Sequence, residues 1–167
     1  MASRDPLELV AQEGQWLLVL VGLPASGKST FRGQVQSRLD HIRVVCPDEI
    51  RPVIYGATFD PRHESIVWQV TYSVLNYWLR LGEPVIFDAT NLSRGVRKPL
   101  IDTARRHGSR VWSIYFRVSL EVALSRNARR DRVVPPERVR DMADRLEPPS
   151  LEEGFDQVLT VEPEERP

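Results

Sequence analysis

A chain of 167 residues is long enough for one domain that buries about two-thirds of the surface its unfolded form exposes. With 41% hydrophobic and 28% charged residues the composition is that of a globular protein, and no apolar run approaches the roughly 20 residues a bilayer span requires. Basic and acidic residues balance at 23 each, which removes the strong net field of a bulk nucleic-acid binder, and the lone Cys46 removes any internal disulfide.

In chain order, residues 1–15 carry Arg4, Asp5, Glu8 and Glu13 and do not read as a secretory signal, so a cytoplasmic setting is expected. Leu7 to Glu13 is expected as a short N-terminal helical extension. Trp16 to Val21 is a continuous apolar run, the pattern of a buried parallel strand. Gly22-Leu23-Pro24-Ala25-Ser26-Gly27-Lys28-Ser29 follows, a complete G-x-x-x-x-G-K-[ST] phosphate-binding loop. A helix from Lys28 to Leu39 completes the strand–loop–helix context that such a loop needs. The glycines let backbone N–H groups of Gly22 to Thr30 face phosphate oxygens at a helix N-terminus. Lys28 is expected on the β- and γ-phosphates of ATP and the Ser29 hydroxyl on Mg²⁺.

Ile42 to Cys46 reads as a second strand, stopped by Pro47. Cys46 itself reads as a buried strand-end thiol. Asp48 follows, where a carboxylate can take the proton of an attacking hydroxyl or cap a helix. Arg51, one turn on, is expected on the same side, gripping an anionic acceptor. Ile66 to Leu81 has helical periodicity and stops at Gly82. Pro84 to Phe87 reads as a third strand ending on Asp88, which can support Mg²⁺ directly or through water. Thr90 and Asn91 add hydrogen-bonding groups at that edge. Arg97 to His107 is the next expected helix, Arg110 to Val118 a fourth strand, and Leu120 to Arg129 a helix. Arg126, Arg129 and Arg130, spaced i, i+3 and i+4, then share one helical face, either a solvated surface or a lid that closes on phosphates. Pro135-Pro136 opens a further helix, and Val158 to Val161 reads as the last strand.

Strands alternating with helices imply an α/β fold: a parallel sheet flanked by helices, spanning residues 16–162, with a frayed tail at 163–167. Functional residues of such sheets lie beyond the carboxyl ends of the strands.

Together, Gly22 to Thr30, Asp48-Glu49-Ile50-Arg51, Asp88-Ala89-Thr90-Asn91-Leu92, Arg126-Asn127-Ala128-Arg129-Arg130 and Val134-Pro135 resemble the polynucleotide 5′-hydroxyl kinases of the bacteriophage and bacterial end-healing type. That resemblance implies a phosphate-binding-loop kinase fold with an arginine-bearing lid, ATP and Mg²⁺ as cofactors, and a 5′-hydroxyl polynucleotide as substrate. It implies Asp48 as general base and Arg51 on the phosphate beside the accepting nucleotide. It also implies Arg130 as lid arginine on the ATP phosphates, with Arg126 beside it, and Asp88, Thr90 and Asn91 shaping the acceptor side. Arg51, Arg94, Arg97 and the lid arginines are expected to form a basic mouth. Kinases of small-molecule hydroxyls or of aminoacyl-tRNA share the same motifs, and a bare nucleotide-binding NTPase module is the reading of another class. The absence of an Asp-Glu pair at the end of the Phe87 strand argues against an AAA+ machine.

Overall fold

The structure is a computed structural model that describes residues 5–56 and 60–163. The expected tail at 163–167 therefore lies outside the described residues except for Pro163.

Among the described residues the sheet has five parallel strands in the order β2-β3-β1-β4-β5: β1 (Trp16–Val21), β2 (Arg43–Val45), β3 (Val85–Asp88), β4 (Arg110–Phe116) and β5 (Gln157–Val161). β1 is central and every one of its residues is buried, which is why it reads as an uninterrupted apolar run. Its alternate side chains feed two cores. Leu17, Val19 and Val21 pack with Leu75 and Leu79 of α4 (Glu64–Arg80) and with Leu100, Ile101 and Ala104 of α5 (Arg94–Arg106). Trp16, Leu18 and Leu20 face the other way, onto Leu9 and Val10 of α1 (Pro6–Val10) and Phe31 and Val35 of α2 (Lys28–Gln36).

Three further helices sit near the strand ends: α3 (Pro47–Tyr55), α6 (Leu120–Asn127) and α7 (Pro136–Asp144). α6 and α7 form a third small core with Leu23 of the phosphate loop, through Ala123, Val139 and Leu92. The lid helices are thus packed directly on the loop.

Several boundaries move. α1 ends at Val10, short of Glu13. α5 starts at Arg94 rather than Arg97, because Ser93 caps it by accepting the Val96 N–H at 3.4 Å. α3 spans a segment whose internal Pro52 hides its helical pattern. Asp48 does not cap α3: Cys46 holds the cap position, Pro47 opens the helix, and Asp48 lies in its first turn. The carboxylate there still meets the positive end of the helix dipole.

Candidate active site

The phosphate loop is shaped by close approaches. A Cβ on Gly22 would stand 2.6 Å from Ser26 Oγ and 2.9 Å from the Phe116 carbonyl oxygen, so no larger residue fits. Gly27 turns the chain into α2 at φ +109°, a conformation open to glycine. Pro24 and Ser26 are buried, and Ala25 adopts a left-handed φ of 62° at the crest. Ser29 and Thr30, in the first turn of α2, are exposed.

Lys28 lies across this loop. Its Nζ donates to the carbonyls of Gly22 at 2.8 Å and Leu23 at 2.7 Å and to Ser26 Oγ at 3.3 Å. Burial pushes its amine down from 10.5 to about 8; Asp88 is the strongest charge pulling the other way, and Arg130 adds to the lowering. A buried cation spending its protons on loop carbonyls is suited to exchange them for phosphate oxygens. The glycine cradle and this lysine fit a nucleoside triphosphate.

Asp88 ends β3, opposite Leu20 of β1, which brings it beside Lys28. Burial raises its carboxyl, opposed first by Arg32 and then by Lys28. Arg32 is a residue that motif reading missed. It stands four residues after Lys28 on α2 and reaches Asp88 Oδ2 at 3.2 Å and Glu49 Oε1 at 2.8 Å. The i+4 spacing from the loop lysine is the signal that could have revealed it.

On α3, Asp48 is 70% exposed and ion-paired with Arg51, so the structure joins the two residues expected to work together. Glu64, at the start of α4, was missed. It accepts from Arg51 Nε at 2.8 Å and Nη2 at 3.0 Å, and from the Tyr55 hydroxyl at 2.7 Å. The Arg51 guanidinium is thus held on both sides, Nε and Nη2 by Glu64 and Nη1 by Asp48. Asp48 is also among the charges acting on Lys28, which sets the start of α3 next to the loop lysine.

The Asp88–Asn91 edge splits in role. The Thr90 carbonyl accepts the Gly22 N–H at 3.1 Å, tying this edge to the loop. Asn91 turns inward rather than lying open to an acceptor: it is 1% exposed, and its Nδ2 donates to the Leu20 carbonyl at 2.7 Å. Its φ of 47° is one that asparagine tolerates, and this bend aims the side chain at the strand end.

The arginine face is corrected. α6 stops at Asn127, so Arg129 and Arg130 lie in the turn beyond it and share no helical face with Arg126. The stop is physical. Asn127 Nδ2 donates to the Val134 carbonyl at 2.7 Å and its Oδ1 accepts the Val134 N–H at 3.1 Å, folding residues 128–134 into a closed loop. Arg130 remains exposed and within electrostatic reach of Lys28. Arg126 lines a cavity of about 360 Å³ with Gly27, Thr30, Phe31 and Phe116, next to the loop's helix.

Arg97 leaves the basic mouth altogether. It is fully buried, with Nε and Nη2 on Glu153 and Nη1 on the carbonyls of Asn91 and Glu147. Cys46 is buried as expected, and that burial pushes its thiol up to about 11.

A model of one family matches residues 17–149, most of the chain, which takes in the phosphate loop, α3, α6 and α7. The chain belongs to the AAA domain family AAA_33. Its fold is that of the phosphate-binding-loop kinases.

The chain is 27% identical over 150 residues to an L-seryl-tRNA(Sec) kinase of Methanococcus maripaludis, covering 84% of this chain and 56% of that protein. Its fold resembles a chain of the Pnkp1/Rnl/Hen1 RNA repair complex at TM-score 0.72 and 23% identity, over 93% of this chain and 49% of the other. It also resembles a gluconokinase from Sinorhizobium meliloti 1021 at TM-score 0.61 and 18% identity, over 90% and 84%. The chain thus spans about half the length of the tRNA kinase and of the RNA-repair chain.

Proposed function

We propose that this kinase transfers the γ-phosphate of ATP to the 5′-hydroxyl end of DNA or RNA. The observation that carries the proposal is the Asp48–Arg51 pair on α3, whose aspartate is exposed toward solvent and acts electrostatically on the phosphate-loop lysine. Asp48 takes the proton of the acceptor hydroxyl as its oxygen attacks the γ-phosphorus and the bond to the departing ADP breaks. Arg51, oriented by Glu64, binds the phosphate beside the accepting nucleotide. Lys28 and Arg130 stabilise the charge that builds on the transferred group. Gly22, Pro24, Ala25, Ser26 and Gly27 shape the cradle, with Thr30 and Arg126 on its nucleotide side.

No group of three His, Cys, Asp or Glu side chains capable of holding a metal ion is present among the described residues. Mg²⁺, which neutralises phosphate oxygens when bound, would be held by the Ser29 hydroxyl in the first turn of α2 and by the phosphates, with Asp88 reached through water. Thr90 and Asn91 support the acceptor side by fixing the strand ends. The RNA repair complex supports a nucleic-acid acceptor by likeness of fold.

A second reading is phosphorylation of an aminoacyl-tRNA, favoured by the 27% identity to the L-seryl-tRNA(Sec) kinase. Incubation with γ-labelled ATP, Mg²⁺ and 5′-hydroxyl oligonucleotides, single- and double-stranded, tests the first reading. Label on an oligonucleotide end is the expected result, and none on any end removes it.

A further inference from the structure

Arg32 holds three parts of the site at once. Its backbone belongs to α2, whose first residue is Lys28; its Nη1 meets Asp88 Oδ2 of β3 at 3.2 Å; its Nη2 meets Glu49 Oε1 of α3 at 2.8 Å. The Asp88 side chain is only 7% exposed. A buried carboxylate demands a compensating cation. Two cations act on Asp88, Arg32 and Lys28, with Arg32 the larger influence. From the lysine's side, Asp88 is the strongest charge acting on it. The two cations therefore compete for one carboxylate, and the ion pair with Arg32 leaves Lys28 on the carbonyls of Gly22 and Leu23 at the loop mouth.

We propose that Arg32 is a positioning residue that satisfies Asp88 and so keeps the phosphate-loop lysine available to the nucleotide. Without the guanidinium, Lys28 is the remaining cation for Asp88. It swings to that carboxylate, leaves the loop, and no longer meets the β- and γ-phosphates. The contact with Glu49 holds the guanidinium in place from the acceptor helix, so α3 and α2 are braced through the same side chain.

The test is equilibrium binding of ATP in EDTA, which reads the lysine–phosphate contact with no metal and no acceptor, and so stands apart from the identity of the acceptor. Arg32→Met keeps the length of the stem and removes the charge. Its affinity for ATP is expected to fall about tenfold. The double variant Arg32→Met/Asp88→Asn, which removes the carboxylate that competes for Lys28, is expected to regain wild-type affinity when binding is read well below pH 8, where Lys28 keeps its proton without the help of Asp88. A purely structural brace gives no such recovery. Wild-type affinity in Arg32→Met, or a double variant as weak as the single, overturns the proposal. Should Arg32→Met fail to fold, the double variant is compared with Asp88→Asn alone. Equal affinities are expected, and a tenfold deficit in the double variant overturns the proposal.

Discussion

Arg97 and Glu153 meet in a bidentate ion pair, each N–H···O contact 2.7 Å, with the arginine side chain fully buried and the glutamate 5% exposed. The same guanidinium donates to the Asn91 and Glu147 carbonyls, so it ties α5 to the loop edge and to the chain leaving the lid. Breaking such a pair from one side strands the other charge. Arg97→Met is expected to cost about 3–5 kcal/mol. At about 2–4 °C per kcal/mol for a domain of this size, that lowers Tm by roughly 10 °C in calorimetry. A change under 2 °C would show that Arg97 is no brace.

Lys28 gives a pH dependence with opposite signs for binding and stability. Its amine titrates near 8 in the fold against 10.5 ordinarily, chiefly from burial. Above pH 8 the lysine loses the charge that meets phosphate, so ATP affinity measured in EDTA falls between pH 7 and 9. Between pH 8 and 10.5 the unfolded chain holds a proton on this residue that the folded chain does not. The Lys28 contribution to stability therefore rises with pH across that window, where the ordinary expectation for a lysine in an ion pair is a loss. A Lys28→Met variant should lack both effects. Identical ATP affinity profiles in the two proteins would contradict this account.

Asn127 closes the lid loop with two hydrogen bonds to Val134. Asn127→Ala leaves the part-buried N–H and carbonyl of Val134 unpaired, at about 1 kcal/mol each. Faster amide hydrogen exchange across residues 128–134 and a several-fold drop in kcat are expected, because the loop that carries Arg130 near Lys28 loosens. Unchanged exchange in that segment would detach Asn127 from the lid.

Much of this arrangement is legible in the residues alone, for physical reasons. The loop and β1 announce themselves because phosphate binding demands glycines and a buried central strand demands unbroken apolarity. Asp48 and Arg51 are legible because three residues on a helix place two side chains together. The lid arginines mislead because spacing assumes that the helix continues, whereas Asn127 ends it with a contact to Val134 that only the folded loop creates. Arg97 misleads for a similar reason: its burial depends on Glu153, a residue far along the chain. Arg32 and Glu64 stay hidden because each acts through partners on other elements; the i+4 spacing of Arg32 from Lys28 places it on the right helix face but names neither Asp88 nor Glu49.

Loss of the proton acceptor should separate binding from chemistry. Asp48→Asn is expected to lower transfer by about 10²- to 10⁴-fold while ATP binding survives. Glu64→Gln, which loosens Arg51, should raise KM for the acceptor more than it lowers kcat. Steady-state kinetics at saturating ATP reads both. Full transfer by Asp48→Asn would remove Asp48 as the base.

Salt should divide the two substrates. With Arg97 buried, the exposed cations Arg94 and Arg130 and the half-buried Arg51 are left to meet a polyanion. Transfer to an oligonucleotide is expected to fall between 50 and 200 mM salt (about the range over which phosphate contacts weaken), while ATP hydrolysis changes less. Equal sensitivity of the two reactions would argue against an anionic acceptor.

The most direct measurement is a competition in one tube. γ-Labelled ATP and Mg²⁺ are supplied with equal amounts of a 5′-hydroxyl oligonucleotide, its 5′-phosphorylated twin, L-seryl-tRNA and gluconate, and the labelled product is identified. Label on the 5′ end of the hydroxyl oligonucleotide, removable by phosphatase and absent from the phosphorylated twin, is the predicted result. Label on the seryl-tRNA or gluconate with none on the oligonucleotide would contradict the polynucleotide acceptor.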